Sequence, residues 1–379
     1  MAEPHPRGWR RLGLNLLTLA GGLLAAGLVL EILLHFFPAG FLYRSPHEML
    51  ATFDYRLGHG RYLPRRRVEL NVPFGDLVGL DQKTRPLIGE PRRVHFRTDA
   101  DGFRNDCDYT DEKLLLVGDS FIAGSGGDQE DLLSAQLFRE CGLRAYNLGF
   151  PGELHSYVRY VQGFFRKHPG KAQVLLFLFE GNDFPLPKPQ AAVAPRRAPD
   201  TLVDIYRKEF QQSFRQLLVY RVGFSLFHVL RQKARPGDYP RVIVRRVRGH
   251  GDLHLGFLAE YLAVTWRERY DGGEEFPEKL GRIADRLTGI FFVPTKYRVY
   301  HPFLEEETGA ALPHAHWNFL KTAADRLGVR CVDLTGPLQE ESRRLLPAGK
   351  LTFWRDDTHW NKYGMAVAAR VIRDFLQQQ

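Results

Sequence analysis

Four residues near the middle of the chain, Gly118-Asp119-Ser120-Phe121, follow the apolar run Leu114-Leu115-Leu116-Val117. The run reads as a buried strand and the block as a tight turn with a serine at its tip. Far downstream stands Asp356-Asp357-Thr358-His359. A serine hydroxyl becomes a useful nucleophile only when an adjacent imidazole takes its proton, and that imidazole needs an acid to fix its tautomer. In a turn or first helical turn Asp356, three residues before His359, shares a side with it. It can then hold the ring so that the other nitrogen faces Ser120. A metal site is the competing reading of this segment, but no further His or Cys cluster supports it. Serine chemistry of this kind needs no cofactor.

Two further blocks have the right character. Asn147-Leu148-Gly149-Phe150-Pro151-Gly152 follows a second strand-like run, and a glycine there lets a backbone amide approach a ligand closely. Glu180-Gly181-Asn182-Asp183 follows a third, where an Asn amide can donate to a developing oxyanion. Each block in isolation is an ordinary turn or cap. Together they occur in order, each at a predicted strand end. In an open α/β sheet the carboxyl ends of the strands share one edge, so all four can meet.

The elements that must position them alternate. Strands are expected at 113–117, 144–148 and 172–179, with helices at 131–141 and 155–167 between them. That rhythm means parallel pairing with right-handed crossovers. The third strand is almost wholly apolar, which suits a sheet covered on both faces. The helix following the serine turn would favour negative charge at its N-terminus. The rhythm resumes over 281–287, with strands at 289–294 and 330–334 and helices at 312–327 and 362–376. Residues 184–275 interrupt it. Pro185, Pro187, Pro189, Pro195 and Pro199 form an irregular bridge, helices are expected at 202–232 and 255–270, and a basic run spans 241–248. Such an insertion shapes a cleft or docks a partner, whereas the basic run itself reads as a solvated charged face. Before the serine block, residues 44–105 are rich in Arg, Pro and Gly, with strand-like pieces at 66–72 and 93–98. There are no internal repeats.

The chain has 379 residues and a formal charge of +9, which suggests an anionic partner: acidic glycan, phospholipid headgroup or nucleic acid. No nucleic-acid motif is present, and aromatics are not interleaved with a basic stripe. The three cysteines, Cys107, Cys141 and Cys331, form no zinc pattern, and spacing alone assigns no disulfide among them.

Residues 12–30 contain no charge, and Arg7, Arg10 and Arg11 precede them. At 1.5 Å per residue this stretch is about 28 Å long, enough to cross the hydrocarbon core. The flanking charge puts the N-terminus in the cytoplasm and everything after about residue 40 outside. After the span, Glu31-Ile32-Leu33-Leu34-His35-Phe36-Phe37 is a poor cleavage context, so an uncleaved signal anchor over 12–37 is expected. Glu31 is either snorkelling to the interface or touching a partner membrane protein. The expected organisation is a cytoplasmic segment 1–11, the anchor 12–37, an irregular and β-rich lead-in 38–111, and a catalytic domain 112–379 with the insertion at about 184–275.

Taken together, the four blocks resemble those of the SGNH (GDSL-type) hydrolase family. Its serine block matches Ser120, its glycine block 147–152 with Gly152 in the oxyanion-amide position, its asparagine block Asn182, and its Asp-x-x-His block Asp356 and His359. The resemblance covers roughly residues 112–183 and 281–376. It implies an α/β protein with a flavodoxin-like three-layer α/β/α domain, a parallel sheet and ester chemistry, with the amides of Ser120 and Gly152 and the Asn182 side chain holding the oxyanion. Two departures stand out: Phe121 replaces the usual leucine, and Glu180 stands where many members have glycine. Asp357 rivals Asp356, because relatives that acetylate alginate-like polymers use an acid two residues before the histidine.

Three further segments, Thr98-Asp99-Ala100-Asp101-Gly102-Phe103-Arg104-Asn105, Val293-Pro294-Thr295-Lys296 with Tyr300, and Thr358-His359-Trp360-Asn361, resemble membrane-anchored members that accompany membrane-bound O-acyltransferases in exopolysaccharide acetylation. Taken alone, Gly102-Phe103-Arg104 reads as a packed turn and Lys296 as a surface residue. The resemblance implies a single-pass protein of the bacterial inner membrane with a periplasmic catalytic domain. Its substrate would be a polysaccharide or another acyl ester, and its acyl donor a membrane-bound O-acyltransferase.

Overall fold

The computed structural model describes residues 6–38, 42–80, 87–184, 201–234, 241–305 and 310–378. The expected bridge from Pro185 to Pro199 lies outside the described residues. Two compact units emerge: one comprises Arg44–Pro199 and Tyr239–Gln379, the other Met1–Tyr43 and Asp200–Asp238.

The larger unit opens with two antiparallel hairpins, β1 (Ala51–Asp54) with β2 (His59–Tyr62) and β3 (Arg67–Val72) with β4 (Arg92–Arg97). Its central sheet contains β5 (Leu114–Val117), β6 (Ala145–Asn147) and β7 (Gln173–Phe179). A third hairpin, β8 (Val242–Arg246) with β9 (His254–Leu258), comes next in the chain. The last two strands of the sheet are β10 (Leu287–Val293) and β11 (Cys331–Asp333). The five sheet strands are all parallel, in the order β6-β5-β7-β10-β11. This is the flavodoxin-like order, and its reversal point lies beside β5.

Side-chain alternation sorts the sheet into two buried faces. Leu114, Leu116, Leu175, Phe177, Phe291 and Val293 join one core, with the helices Leu133–Cys141, Thr335–Leu345 and Lys362–Gln377 packed on it. Leu115, Val117, Val174, Leu176, Ile290 and Phe292 join the other, under the helices Leu154–Lys167, Glu275–Gly281 and Ala315–Arg326. The result is a three-layer α/β/α domain in which the middle strands are apolar on both sides.

Several expectations need correction. The helix expected at 255–270 is strand β9 followed by a short helix, Ala259–Thr265, because the basic run at 241–248 supplies β8 as its hairpin partner. The helix expected at 202–232 is two helices, Leu202–Arg215 and Leu218–Ala234. The helix Thr335–Leu345 adds to the expected elements, although it carries Pro337 near its start. Proline is nevertheless tolerated in a first helical turn, where the amide it lacks has no intrahelical partner anyway. The three cysteines are free thiols.

The smaller unit contains the N-terminal helix Pro6–Leu34 and the two helices of the insertion. Among the described residues one helix, Arg11–Leu34, is long and apolar enough to cross a membrane. Glu31 also has a role within the chain. Its carboxylate accepts the Leu218 amide at 3.0 Å and the Val219 amide at 2.9 Å. It thereby satisfies two of the unpaired donors at the start of Leu218–Ala234 and places negative charge where a helix favours it.

Candidate active site

Ser120 sits in the turn that ends β5. The Asp119 carboxylate accepts the Phe121 amide at 2.8 Å, and the Ala123 amide donates to the Asp119 carbonyl, winding the chain back on itself. The next α-helix begins at Leu133, close to the expected 131, so the turn itself lies outside it and is held by side chains. Arg104, fully buried, donates to the carbonyls of His95, Ala123, Gly124 and Gly127 and to the Gln129 side chain. Burial pushes its guanidinium down to about 10. The 98–105 segment thus carries the clamp that fixes the loop behind Ser120. Gly149, in the second block, touches the same loop: a Cβ there would stand 2.3 Å from the Ala123 nitrogen.

The Ser120 hydroxyl lies 2.7 Å from His359 Nε2. His359 Nδ1 lies 2.6 Å from Asp357 Oδ1, and the His359 amide donates to the same oxygen at 3.1 Å. The residue two before the histidine therefore meets the ring, because the segment turns as an Asp-capped loop rather than as a helix. Asp356, which the sequence reading put against His359, points the other way. It accepts the amides of Gly75 at 2.6 Å and Glu90 at 2.8 Å, and Arg92 Nη1 at 3.2 Å. Arg92 also donates to Asp357 Oδ2 at 2.7 Å and stacks 4.4 Å from the Trp354 ring centre. One guanidinium, 6% exposed, thus bridges the two adjacent carboxylates.

Other contacts hold this loop. Lys296 is buried, not at the surface, and donates to the carbonyls of Arg355 at 2.8 Å and Asp357 at 3.1 Å. Burial pushes its amine down to about 8, against the pull of Asp356 and Asp357. Asn361 donates to the carbonyls of Leu351 and Phe353 and accepts the Tyr363 amide, clasping the loop to the last helix. Phe121 packs its ring 5.0 Å from the imidazole of His359. Glu180, the departure in the third block, is buried and pairs with Arg298 through both carboxylate oxygens. It anchors the chain after β10 rather than facing a substrate.

Electrostatics follow the geometry. Burial lowers the pKa of His359, but attraction to Asp357, with Asp76 and Asp119 adding, outweighs it and carries the ring up to about 9. Burial raises the Asp357 carboxyl, yet His359 and Arg92 pull it well below the usual carboxylate range. His47 is pushed down to about 4 by burial and by the charge of His359.

Ser120, Asp357 and His359 open onto a cavity of about 670 Å³, also lined by His47, Phe74, Asp76, Arg92, Phe96 and Pro151 among others. Pro151 brings the second block to this cavity through the residue before Gly152. Asn182 is exposed, and neither it nor Gly152 lines the cavity. Asp76, Asp357 and His359 offer atoms within 4.8 Å of one another, a spacing a metal ion could use. Here, however, both His359 nitrogens already face partners, and Arg92 neutralises Asp357. Asp76 and Arg92 were not foreseen as cavity residues. The only signal for them was their place in a lead-in rich in charge.

Residues 285–379 match the SGNH hydrolase-like domain of the acetyltransferase AlgX. The chain is also similar to the "Probable alginate O-acetylase AlgJ" of Pseudomonas putida, 33% identical over 90 residues, and to that of Azotobacter vinelandii, 38% identical over 93 residues. Each match covers 24% of this chain and 22% of the relative. The chain thus spans about a fifth of the length of the curated relatives it matches. It resembles an SGNH-like family of exopolysaccharide acetylation. The family match includes the Asp357 and His359 loop, whereas Ser120 lies outside it.

Proposed function

We propose that this protein is a membrane-anchored, extracytoplasmic serine O-acyl esterase or O-acetyltransferase acting on a cell-surface or secreted polysaccharide. The observation that carries the reading is the hydrogen-bonded line Ser120–His359–Asp357 opening on a cavity. The likeness to alginate O-acetylases supports a polysaccharide acceptor, and the apolar helix Arg11–Leu34 supports an anchor.

In the first half-reaction Ser120 Oγ attacks the acyl carbonyl while its proton passes to His359 Nε2. Asp357 stabilises the imidazolium so formed and keeps Nδ1 protonated. The amide of Ser120 is the proposed donor to the oxyanion, and the Gly152 amide and Asn182 side chain, which do not line the cavity as it stands, are proposed to join it when substrate is bound, each donor being worth about 3 kcal/mol at the transition state. Collapse breaks the bond to the leaving oxygen, which takes the proton from His359 and leaves an acyl-serine. In the second half-reaction a sugar hydroxyl, or water, gives its proton to His359 and takes the acyl group, and Ser120 recovers its proton. Arg92 keeps Asp357 ionised throughout. A membrane-bound O-acyltransferase is the proposed source of acyl groups.

The test uses the full chain in detergent or nanodiscs. Wild type is expected to release acetate from a chromogenic acetyl ester and to show an acetyl group on the Ser120 peptide by mass spectrometry. Ser120→Ala should do neither. Equal activity in both proteins would overturn the reading, as would transfer of long acyl chains in preference to acetyl. Adding an oligosaccharide acceptor separates transfer from hydrolysis.

A further inference from the structure

The helix Leu202–Arg215 carries its apolar residues in one stripe and exposes that stripe. Val203, Tyr206, Phe210, Phe214 and Leu217 recur every three or four positions, which puts them on one face. Phe210 is 75% exposed and no residue of this helix is buried. The opposite face, at Ile205, Lys208 and Gln212, is the half-covered one. In water the order would be reversed. The next helix, Leu218–Ala234, adds exposed Val222, Leu226 and Leu230.

We propose that these two helices lie in the headgroup–acyl boundary of a lipid bilayer, and that lipid is the partner covering their apolar face. The inference rests on the reading that Arg11–Leu34 spans that bilayer.

Three observations single out lipid. First, the apolar surface is continuous with that of the candidate span. Glu31 in the N-terminal helix holds the first amides of Leu218–Ala234, and no residue of the span is buried. Whatever solvates Leu24 and Leu28 therefore extends toward the hairpin. Second, the polar residues have the character of an interfacial helix. Arg207, Lys208, Arg215, Arg221 and Arg231 outnumber Asp204 and Glu209, and cations on long stems reach anionic headgroups while their helix lies in the boundary. Third, aromatic residues suited to the boundary cluster here. Tyr220 stacks on Phe224 and packs against Phe214, and Arg221 lies over the Tyr43 ring.

The test places single labels on the full chain in nanodiscs of mixed phosphatidylglycerol and phosphatidylcholine. Cys107, Cys141 and Cys331 are first replaced by serine, and an environment-sensitive dye is attached at Leu19→Cys, Phe210→Cys or Arg215→Cys. With nitroxide lipids, labels at Leu19 and Phe210 should each lose more than about half of their emission, and the Arg215 label much less. A quenched Leu19 label with an unquenched Phe210 label would overturn lipid docking and leave the span standing. The face would then belong to a protein partner or a second copy. An unquenched Leu19 label would remove the span and the proposal together. A diazirine-bearing phosphatidylglycerol gives a second measure on the unlabelled chain: crosslinks within 203–217 are expected, and their absence beside crosslinks within 11–34 would also overturn the proposal.

Discussion

The two units treat charge and apolar surface in opposite ways. In the larger unit Arg92, Arg104, Lys296 and Arg298 are buried or nearly so, and each is matched to carbonyls or carboxylates. Its leucines and phenylalanines fill two large cores and a small third one. In the smaller unit leucine and phenylalanine stand exposed, and the one carboxylate in the long helix is turned onto helix amides. A buried cation is costly unless paired, and an exposed apolar stripe is costly unless covered. The larger unit uses its buried cations to hold the loops around the site in place. The smaller one keeps an apolar face that only another phase or partner would cover. Chemistry and attachment are therefore separable, and each can be attacked without the other.

The sharpest attack is on the nucleophile. Ser120→Ala should lower ester turnover by about 10⁵-fold, to background, without lowering the thermal midpoint. Phe210→Asp with Phe214→Asp, in the other unit, should leave turnover of a soluble ester unchanged. A large loss from the second variant would break the separation between the units.

Next come the neighbouring carboxylates. Asp357→Asn should cost roughly 10³–10⁴-fold in kcat, since the imidazole loses its orienting acid. Asp356→Asn should act mainly on stability, by about 3 kcal/mol, because it leaves Arg92 and two amides without a buried anion. Thermal denaturation beside kinetics separates the two, and a larger kcat loss in Asp356→Asn would return the acid to that position. The pH profile gives an independent readout. Turnover needs His359 unprotonated, so kcat/KM should rise with pH through a midpoint near 9 and level off only above it. In Asp357→Asn the midpoint should fall toward the ordinary value of about 6.5. Stability runs the other way. A histidine raised on folding contributes stability that is complete below about 6.5 and is lost as pH rises through its folded value.

The same residues show what was legible in the sequence. Three of the blocks could be ordered along one sheet edge because each follows a short apolar run that becomes β5, β6 or β7, and β10 too falls close to where periodicity puts it, whereas the fourth block, 356–359, follows no strand of the sheet and reaches Ser120 from a loop. The choice between Asp356 and Asp357 was not legible. It depends on a loop pinned by Arg92, which is 264 residues away in the chain from Asp356, and by Lys296 beneath it. Strand β9 was missed for a similar reason: 254–258 has no alternation of its own, and only pairing with β8 makes it a strand. The exposed stripe on Leu202–Arg215 was readable as amphipathic, but periodicity does not say which medium an apolar face meets.

A smaller effect is expected at Lys296. Lys296→Met keeps the stem and removes the donors, leaving the carbonyls of Arg355 and Asp357 unsatisfied at about 1–3 kcal/mol each. Because these carbonyls belong to the loop that carries Asp357, kcat should fall about tenfold with little change in KM. A KM effect alone would mean that Lys296 touches substrate rather than positions the loop.

The smallest effect is expected in the other unit, and it tests whether Glu31 is structural. Glu31→Gln keeps one acceptor oxygen for the Leu218 and Val219 amides but removes the charge, which should cost about 0.5–1 kcal/mol. Glu31→Ala removes both acceptors and should cost about twice that. Ester turnover should be unchanged in both variants. The loss should instead appear as faster amide exchange at Leu218 and Val219 in nanodiscs, in the order wild type, Gln, Ala. If both variants exchange like wild type, the carboxylate is not what joins the two parts of this unit. The N-terminal helix and the exposed hairpin would then have to be held together by apolar contact alone.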